Sequence, residues 1–139
     1  MMKGIPTDRF VFRMDIEVRP DHIDALGHVN NVVYLQWVQD ASDAHWKTVD
    51  PALQAACKWV VLRHEIDYKS SALPGDQLEA FTWVDPSAGG VRSTRHVWIQ
   101  RKGSQQVLVM AATTWCLLDP STDRPRRIMP EIDKALGLK

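Results

Sequence analysis

A cluster of polar residues comes directly before the most regular helix-like stretch of the chain. The run DALGHVNNVVYLQW contains an acid, a glycine, a histidine and two asparagines: Asp24, Gly27, His28, Asn30 and Asn31. A carboxylate can serve as a general base or as a nucleophile. The free N–H groups at a helix start carry partial positive charge and can stabilise an oxyanion. These residue types could therefore form a reaction centre.

Every residue of this cluster also has an ordinary structural role. An acid such as Asp24 stabilises a helix start by about 0.3–1 kcal/mol, and the spacing alone favours this role. The amide oxygen of Asn30 or Asn31 can cap the helix, and Gly27 can adopt a positive φ in any loop. His28 can assist a carboxylate or be a polar neighbour of the cap. Spacing alone therefore does not separate a reaction centre from a capped helix.

The stretch that follows the cluster has the periodicity of an amphipathic helix. From about residue 31 to residue 48, one stripe recurs at spacings of three and four: Val33, Tyr34, Trp37, Val38, Ala41, Ala44 and His45. Such a stripe predicts one long helix with a broad buried face, and Pro51 lies just past its end. A short helix is predicted from about 130 to 136, with Pro130 in its first turn.

Alternation of apolar and polar residues predicts five strands. The first covers 9–19, and the others cover four ranges: 58–69, 77–84, 91–101 and 107–118. The short connections between the last four predict antiparallel neighbours in chain order. Because one long helix is the main element available to cover a sheet face, the sheet is expected to curl around it. The prediction is an α+β fold, with residues 1–139 forming a single domain.

The second predicted strand carries a histidine on its helix-facing side. Alternation places Val60, Leu62, Ile66 and Tyr68 on the same face as His64. A lone histidine at such a position is more often a core or pocket residue than a catalyst. The run HEIDY is not HExxH, so neither a metal site nor a cofactor site is predicted.

Composition argues against several classes of function. Lys plus Arg and Asp plus Glu both number 17, so the net charge is zero and no overall field attracts nucleic acid or an anionic membrane. Runs of about 18 apolar residues are absent from the sequence, and residues 1–10 lack a signal-peptide pattern. Cys57 and Cys116 are isolated and are expected to be reduced thiols. We therefore expect a cytoplasmic protein.

The pattern DxxGHVNNxxYxxW and the predicted element order together resemble the hotdog-fold thioesterases of the 4-hydroxybenzoyl-CoA thioesterase superfamily. The residues that carry the resemblance are Asp24, Gly27, His28, Val29, Asn30, Asn31, Tyr34 and Trp37. The run HVNNxxY is similar to that of plant acyl-carrier-protein thioesterases. The resemblance implies a single hotdog domain, a five-stranded antiparallel sheet wrapped around one long helix. It also implies hydrolysis of an acyl-CoA or acyl-carrier-protein thioester.

Roles for individual residues follow from the same resemblance. Asp24 would be the catalytic carboxylate, the Asn31 N–H would polarise the thioester carbonyl, and His28 would assist. The candidate substrate-binding residues are Gly27, Asn30, Tyr34, His64, Arg92 and Arg95. Of these, Arg92 and Arg95 are candidates for binding the phosphates of CoA. Enzymes of this type are dimers or tetramers with sites at the dimer interface, so a homo-oligomer is expected.

Two other functions remain compatible with the sequence. A hotdog hydratase or dehydratase would use His28 and Asp24 on the carbon next to the thioester. A non-catalytic protein would bind acyl thioesters without turning them over. Asp21 is an alternative carboxylate to Asp24, although its place directly after Pro20 favours a turn.

Overall fold

The computed structural model describes residues 4–138, whose main feature is a five-stranded antiparallel sheet. The strands are β1 (Phe12–Glu17), β2 (Lys58–Tyr68), β3 (Gln77–Val84), β4 (Arg92–Arg101) and β5 (Val107–Leu118). The four later strands follow the predicted bounds closely, whereas β1 is shorter than predicted at both ends. Outside its ladder, the N–H of Phe10 donates to the carbonyl of Gly137, near the end of the chain, at 3.4 Å.

Three α-helices accompany the sheet in this part of the chain: α1 (Asn31–Trp46), α2 (Pro51–Ala55) and α3 (Pro130–Ala135). A short 3-10 helix, Pro20–His22, also precedes α1. The long helix and the last helix confirm the sequence prediction, but α2 was not predicted. Asp50 caps α2 by accepting from the N–H of Ala52 at 2.9 Å, and Pro51 occupies its first turn. Pro51 therefore lies past the end of α1, as predicted, and is also the first residue of α2.

The concave face of the sheet packs on α1, as predicted. The buried stripe of α1 includes Tyr34, Trp37, Val38 and Ala41. These side chains join one core cluster with residues from the inner faces of the strands, among them Ile16, Leu78, Ala80, Val97, Ile99 and Val109. The α+β class and the wrapping of the sheet around one helix are confirmed.

The strand order differs from the predicted succession of neighbours. The order across the sheet is β1-β3-β4-β5-β2, so β2 pairs with β5 at one edge while β1 pairs with β3 at the other. The prediction that β2 and β3 are neighbours is therefore wrong. The connection 69–76 is long enough to carry the chain from one side of the sheet to the other. It is held to the helix because the N–H of Ala72 donates to the hydroxyl of Tyr34 at 2.8 Å.

A β-bulge in β2 changes which residues share its inner face. The register shifts between Val61 and Arg63, so that Leu62 is an extra residue without a partner on β5. Beyond the bulge, His64 pairs with Thr113 and faces α1, as predicted. Before the bulge, the alternation of inward- and outward-facing side chains is shifted by one residue. Val61, and not Val60 or Leu62, therefore lies on the same inner face as His64. The prediction that Val60 and Leu62 lie on the face of His64 is wrong for this reason.

The assignment of residues 1–139 to one domain stays a prediction, and residues 1–3 and 139 lie outside the described residues. Residues 1–3 belong to the segment 1–10, which was predicted to lack a signal-peptide pattern, so that prediction lies partly outside the described residues. No helix within 4–138 combines the length and apolar character needed to cross a membrane.

Candidate active site

The segment between β1 and α1 folds back on itself directly before the helix. Ile23 and Val29 form an isolated antiparallel bridge, and the N–H of Asp24 donates to the carbonyl of His28 at 2.9 Å. Gly27 has a φ of 79°, in the left-handed region that glycine adopts without a steric penalty. These contacts hold Asp24 and His28 opposite each other at the base of a tight loop.

The carboxylate of Asp24 is engaged through one of its two oxygens. Oδ1 accepts from the N–H of Leu26 at 2.9 Å and from the N–H of His28 at 3.5 Å. Oδ2 has no hydrogen-bond donor among residues 4–138, and the side chain is half-buried. Asp24 therefore shapes its own loop instead of capping the helix, and its Oδ2 has no hydrogen-bond partner within residues 4–138.

The helix start is capped by Asn30, which leaves the N–H of Asn31 unused. The Asn30 side chain accepts from the N–H of Val32 at 3.0 Å, and its carbonyl accepts from the N–H of Val33 at 2.9 Å. Asn31 is the first residue of α1, and its own N–H has no acceptor in the part of the chain that the structure describes. Such a free donor at the positive end of a helix dipole is suited to binding a negatively charged oxygen.

His28 and Gly27 face outward from the same loop. The His28 side chain is exposed, and within residues 4–138 its imidazole makes no hydrogen bond, including none to the Asp24 carboxylate. A Cβ atom added to Gly27 would meet nothing within 4 Å. The imidazole is therefore accessible to a bound molecule, but it does not orient Asp24 in this structure.

Two tyrosines lie against the first turns of α1. Tyr34 is buried at 2% exposure, and its hydroxyl is occupied by the Ala72 N–H. Burial raises the pKa of this hydroxyl. Tyr68, at the end of β2, packs on Tyr34 with ring centroids 5.6 Å apart and donates its hydroxyl to the carbonyl of Asn31 at 3.4 Å. Tyr34 thus joins the helix to the connection at Ala72 in the core, whereas the half-exposed Tyr68 lies beside Asn31 at the start of the helix.

Tyr68 was not among the candidate site residues from the sequence. Its signal was present in the alternation of β2, which places it on the inner face with Ile66. Tyr68 contacts Asn31 because the end of β2 lies next to the start of α1 in the folded protein. This position follows from the strand order, which the local pattern did not predict.

His64 lies away from the helix start. Its Nδ1 is 2.8 Å from the hydroxyl of Thr113, and Thr113 is buried on β5. Four residues of extended chain separate His64 from Tyr68, which corresponds to about 13 Å. His64 is therefore a half-buried polar residue of the inner sheet face and does not join the Asp24–Asn31 group.

Arg92 and Arg95 lie on opposite faces of β4. Arg92 is exposed on the outer face, opposite Cys116 of β5. Arg95 is only 5% exposed and lies on the inner face, where its Nη1 reaches the hydroxyl of Thr82 and Nδ1 of His45, both at 2.9 Å. Because they lie on opposite faces of the sheet, the two arginines cannot bind the same phosphate group.

Two further sequence observations concern alternative chemistry. Asp21 is exposed and ion-paired with Arg19 at 3.2 Å, within the 3-10 helix turn. Among the described residues, no group of three or more His, Cys, Asp or Glu side chains is placed to hold a metal ion. Asp24, Gly27, His28, Asn30 and Asn31 are the sequence candidates that the structure brings together.

Sequence comparison identifies a family for most of the chain. A family model described as the thioesterase-like superfamily matches residues 18–136. No curated protein sequence gives a significant match. The matched range includes the loop before α1, the whole of α1 and every strand after it.

Solved structures with the same fold include several enzymes named as thioesterases. The probable thioesterase YbaW of Escherichia coli superposes with a TM-score of 0.80 at 24% identity, covering 89% of this chain and 95% of that chain. The 1,4-dihydroxy-2-naphthoyl-CoA thioesterase Slr0204 of Synechocystis gives 0.77 at 17%, covering 91% and 96%. The 12:0-ACP thioesterase of Umbellularia californica gives 0.77 at 18%, covering 90% of this chain but 49% of that one. Similarity at these identities shows a shared fold.

Proposed function

Because the chain belongs to the thioesterase-like superfamily and has the hotdog fold, we propose that it hydrolyses acyl thioesters of CoA or acyl carrier protein to a free acid and a thiol. One observation carries the proposal. The N–H of Asn31 at the start of α1 has no acceptor within 4–138, and it follows a loop whose Asp24 carboxylate has one unengaged oxygen. A donor for the carbonyl oxygen and an acceptor for a proton are the two groups that thioester hydrolysis needs.

In this proposal the start of α1 stabilises the charge that develops on the thioester oxygen. The Asn31 N–H donates to that oxygen, and the partial positive charge of the helix start adds to the effect. The Asn30 cap occupies the neighbouring N–H of Val32, so the donor offered to substrate is that of Asn31. The tight loop before the helix leaves this end of α1 open to a ligand.

Asp24 provides the acceptor in the proposed reaction. Its free Oδ2 takes a proton from a water molecule as the water oxygen attacks the carbonyl carbon, or it attacks that carbon directly and water then releases the acid. The C–S bond breaks in either route, and the thiolate leaving group takes up a proton. The exposed imidazole of His28, free of contacts within residues 4–138, is available to hold the attacking water or the leaving sulfur.

The carrier of the acyl group is left open between CoA and acyl carrier protein. The comparison structures include one enzyme named for a CoA substrate and one named for an ACP substrate. Arg92 remains a candidate for CoA phosphates because it is exposed. Parallel assays with the same acyl group on both carriers would identify the preferred one.

The proposal is tested by a panel of acyl-CoA and acyl-ACP substrates, with release of free thiol as the measurement. The Asp24→Asn variant keeps the shape of the side chain but removes the base, so its rate should fall on the order of a hundredfold or more. Asp21→Asn is the matched control, because Asp21 is exposed and lies just before the loop. A folded Asp24→Asn protein with the wild-type rate would contradict the assigned role.

The other two activities predict different results in the same assay. Hydration of an enoyl-CoA or dehydration of a 3-hydroxyacyl-CoA without thiol release would replace the proposal by a hydratase or dehydratase. Acyl-CoA binding without any turnover would replace it by a non-catalytic binding protein. The expected cytoplasmic location is also part of the proposal, and cell fractionation tests it.

A further inference from the structure

A cavity of about 450 Å³ lies beside the C-terminal half of α1, facing the inner side of the sheet. Its wall includes Gln39, Asp43, Trp46, Trp59, Arg95 and Trp115. Neither Asp24 nor Asn31 lines it. At a rise of about 1.5 Å per residue, its α1 lining begins at Gln36, about 8 Å along the helix from Asn31, and ends at Trp46, about 23 Å from Asn31. The cavity therefore extends from the middle of α1 to its C-terminal end and does not include the proposed reaction site.

The inner wall of the cavity contains a buried arginine without a carboxylate partner. Arg95 is 5% exposed, and no ion pair involves it among the described residues. A guanidinium only donates hydrogen bonds, so Nδ1 of His45 must be the acceptor and the imidazole must be neutral. The pKa of His45 is lowered to about 4 by burial and by the charge of Arg95, which agrees with that assignment. The positive charge of Arg95 is thus buried beside neutral groups.

Further hydrogen-bond donors at this wall are unused. Only Nη1 of Arg95 has acceptors within 4–138, which leaves its Nε and Nη2 free. The indole N–H of Trp115 is fully buried and has no acceptor in the same part of the chain. Ser93, opposite Trp115 on the sheet, also lines the cavity. Because the free donors of a buried guanidinium are costly without acceptors, Arg95 is suited to a ligand that supplies anionic oxygen.

We propose that this cavity binds a carboxylate carried on an apolar body. A planar guanidinium with free N–H groups matches a carboxylate in shape and charge. The indole rings of Trp46, Trp59 and Trp115 provide flat apolar walls for the remainder of the ligand.

The acids at the rim oppose a more highly charged ligand. Asp43 is ion-paired with Lys47 at 2.9 Å, but within residues 4–138 the Asp40 carboxylate accepts only from the side-chain amide of Gln36, also at 2.9 Å. The negative charge of Asp40 repels a dianion such as a phosphate ester more strongly than a single carboxylate. Arg95 is therefore assigned to a carboxylate and not to the phosphates of CoA.

The same chemistry has two possible sources. One is a free organic acid, and this version is independent of the proposed hydrolysis. The other is the far end of a long acyl chain that carries a terminal carboxylate and extends along α1 from Asn31. The second version rests on the proposed function, because it requires the thioester to lie at the helix start.

The test compares octanoate with octanamide, which has nearly the same shape but no charge, by calorimetry and tryptophan fluorescence. Wild-type protein should bind octanoate at least about tenfold more tightly than octanamide, because a charge-assisted hydrogen bond is lost with the amide. Arg95→Met should bring the two affinities to within about twofold, since this apolar side chain carries no charge to bind the acid. Arg127→Met, at an exposed arginine that does not line the cavity, is the matched control and should retain the wild-type preference.

Equal affinity of wild-type protein for acid and amide would overturn the proposal, and that result does not depend on any variant folding. A folded Arg95→Met protein that retains the preference would overturn it as well. These measurements need no enzymatic activity, so a failure of thioester hydrolysis leaves them interpretable.

Kinetic measurements then separate the two sources. With a long-chain acyl-CoA bearing a terminal carboxylate, Arg95→Met should raise KM relative to the chain ending in methyl, and octanoate should compete. Octanoate binding that leaves hydrolysis unchanged supports the free organic acid as the source.

Discussion

At the scale of single residues, the backbone and the side chains of the loop before α1 have different roles. Asn30 caps the helix with its side chain, whereas in our proposal Asn31 acts through its backbone N–H. Asp24 uses one oxygen to hold its own loop, and the other oxygen accepts no hydrogen bond from residues 4–138. Adjacent residues of the same type thus have different roles, and substitutions can separate them.

The proposed donor at Asn31 can be removed without removing the helix. Proline is favoured at the first position of a helix and lacks the N–H group, so Asn31→Pro should leave the free energy of unfolding nearly unchanged. Asn30 already has the extended conformation that a following proline requires, with φ −62° and ψ 137°. The rate of thioester hydrolysis should fall on the order of a hundred- to a thousandfold.

Asn31→Ala is the control for this substitution, because alanine keeps the N–H while deleting the side chain. It should retain most of the wild-type rate. Equal losses in both variants would show that the side chain matters and the backbone donor does not.

Protonation of His45 should make stability depend on pH. Its folded-state pKa is about 4, compared with 6.5 in the absence of the fold, so the unfolded chain binds more protons between these values. The stabilising contribution is complete above pH 6.5 and is lost as the pH falls toward 4. Denaturant unfolding should show about 2 kcal/mol less stability at pH 5 than at pH 7 from this group.

In the His45→Gln variant, an uncharged amide oxygen can accept from Arg95 in place of the imidazole. Most of the pH dependence over this range should then disappear. An identical slope in the wild type and the variant would assign the effect to other groups.

At the scale of secondary-structure elements, the helix start is held by two different segments. The connection 69–76 is tied to α1 through Ala72 and Tyr34, and the end of β2 contacts Asn31 through Tyr68. The first contact is buried and short, whereas the second is half-exposed and longer. The first is therefore expected to contribute more to stability.

Tyr34→Phe should lower the free energy of unfolding by about 1–3 kcal/mol, because the buried N–H of Ala72 loses its acceptor. Tyr68→Phe is the matched control and should change stability much less, since its hydroxyl bond is 3.4 Å long at a half-exposed site. Urea unfolding of both variants measures the difference. Similar small losses in the two proteins would show that the Ala72 contact does not hold the connection.

At the scale of the whole molecule, the sheet ends in two open edges. β2 pairs with β5 on one side only, and its bulge residue Leu62 is 50% exposed. An open edge with apolar side chains favours pairing with another chain. The homo-oligomer expected from the sequence would cover such an edge.

Light scattering should therefore give at least a dimer for the wild-type protein. Leu62→Lys should shift it toward the monomer, because a lysine on an edge strand opposes edge-to-edge pairing. Glu17→Lys, an exposed position on the opposite edge strand β1, should leave the assembly unchanged. A wild-type monomer at all concentrations would contradict the expected dimer.

The sequence by itself determined the family and most of the elements, although it missed α2. The alternation in β3 and β5 and the three- and four-residue spacing in α1 predicted their ranges closely, because side-chain periodicity depends on residues near one another in the chain. The motif between Asp24 and Trp37 pointed to the thioesterase-like superfamily, which the family match confirmed. The roles of Asp24, His28 and Asn31 stay predictions.

Only the tertiary structure decided the strand order, the phase of β2 and the surroundings of Arg95. Strand pairing joins segments far apart in the chain, so the alternation of β2 did not show that its partner is β5. The bulge at Leu62 reverses the facing of every residue before it, because one extra residue shifts a two-residue period. The position of Arg95 on an inner face beside a cavity likewise depends on what packs over β4, which no local pattern specifies.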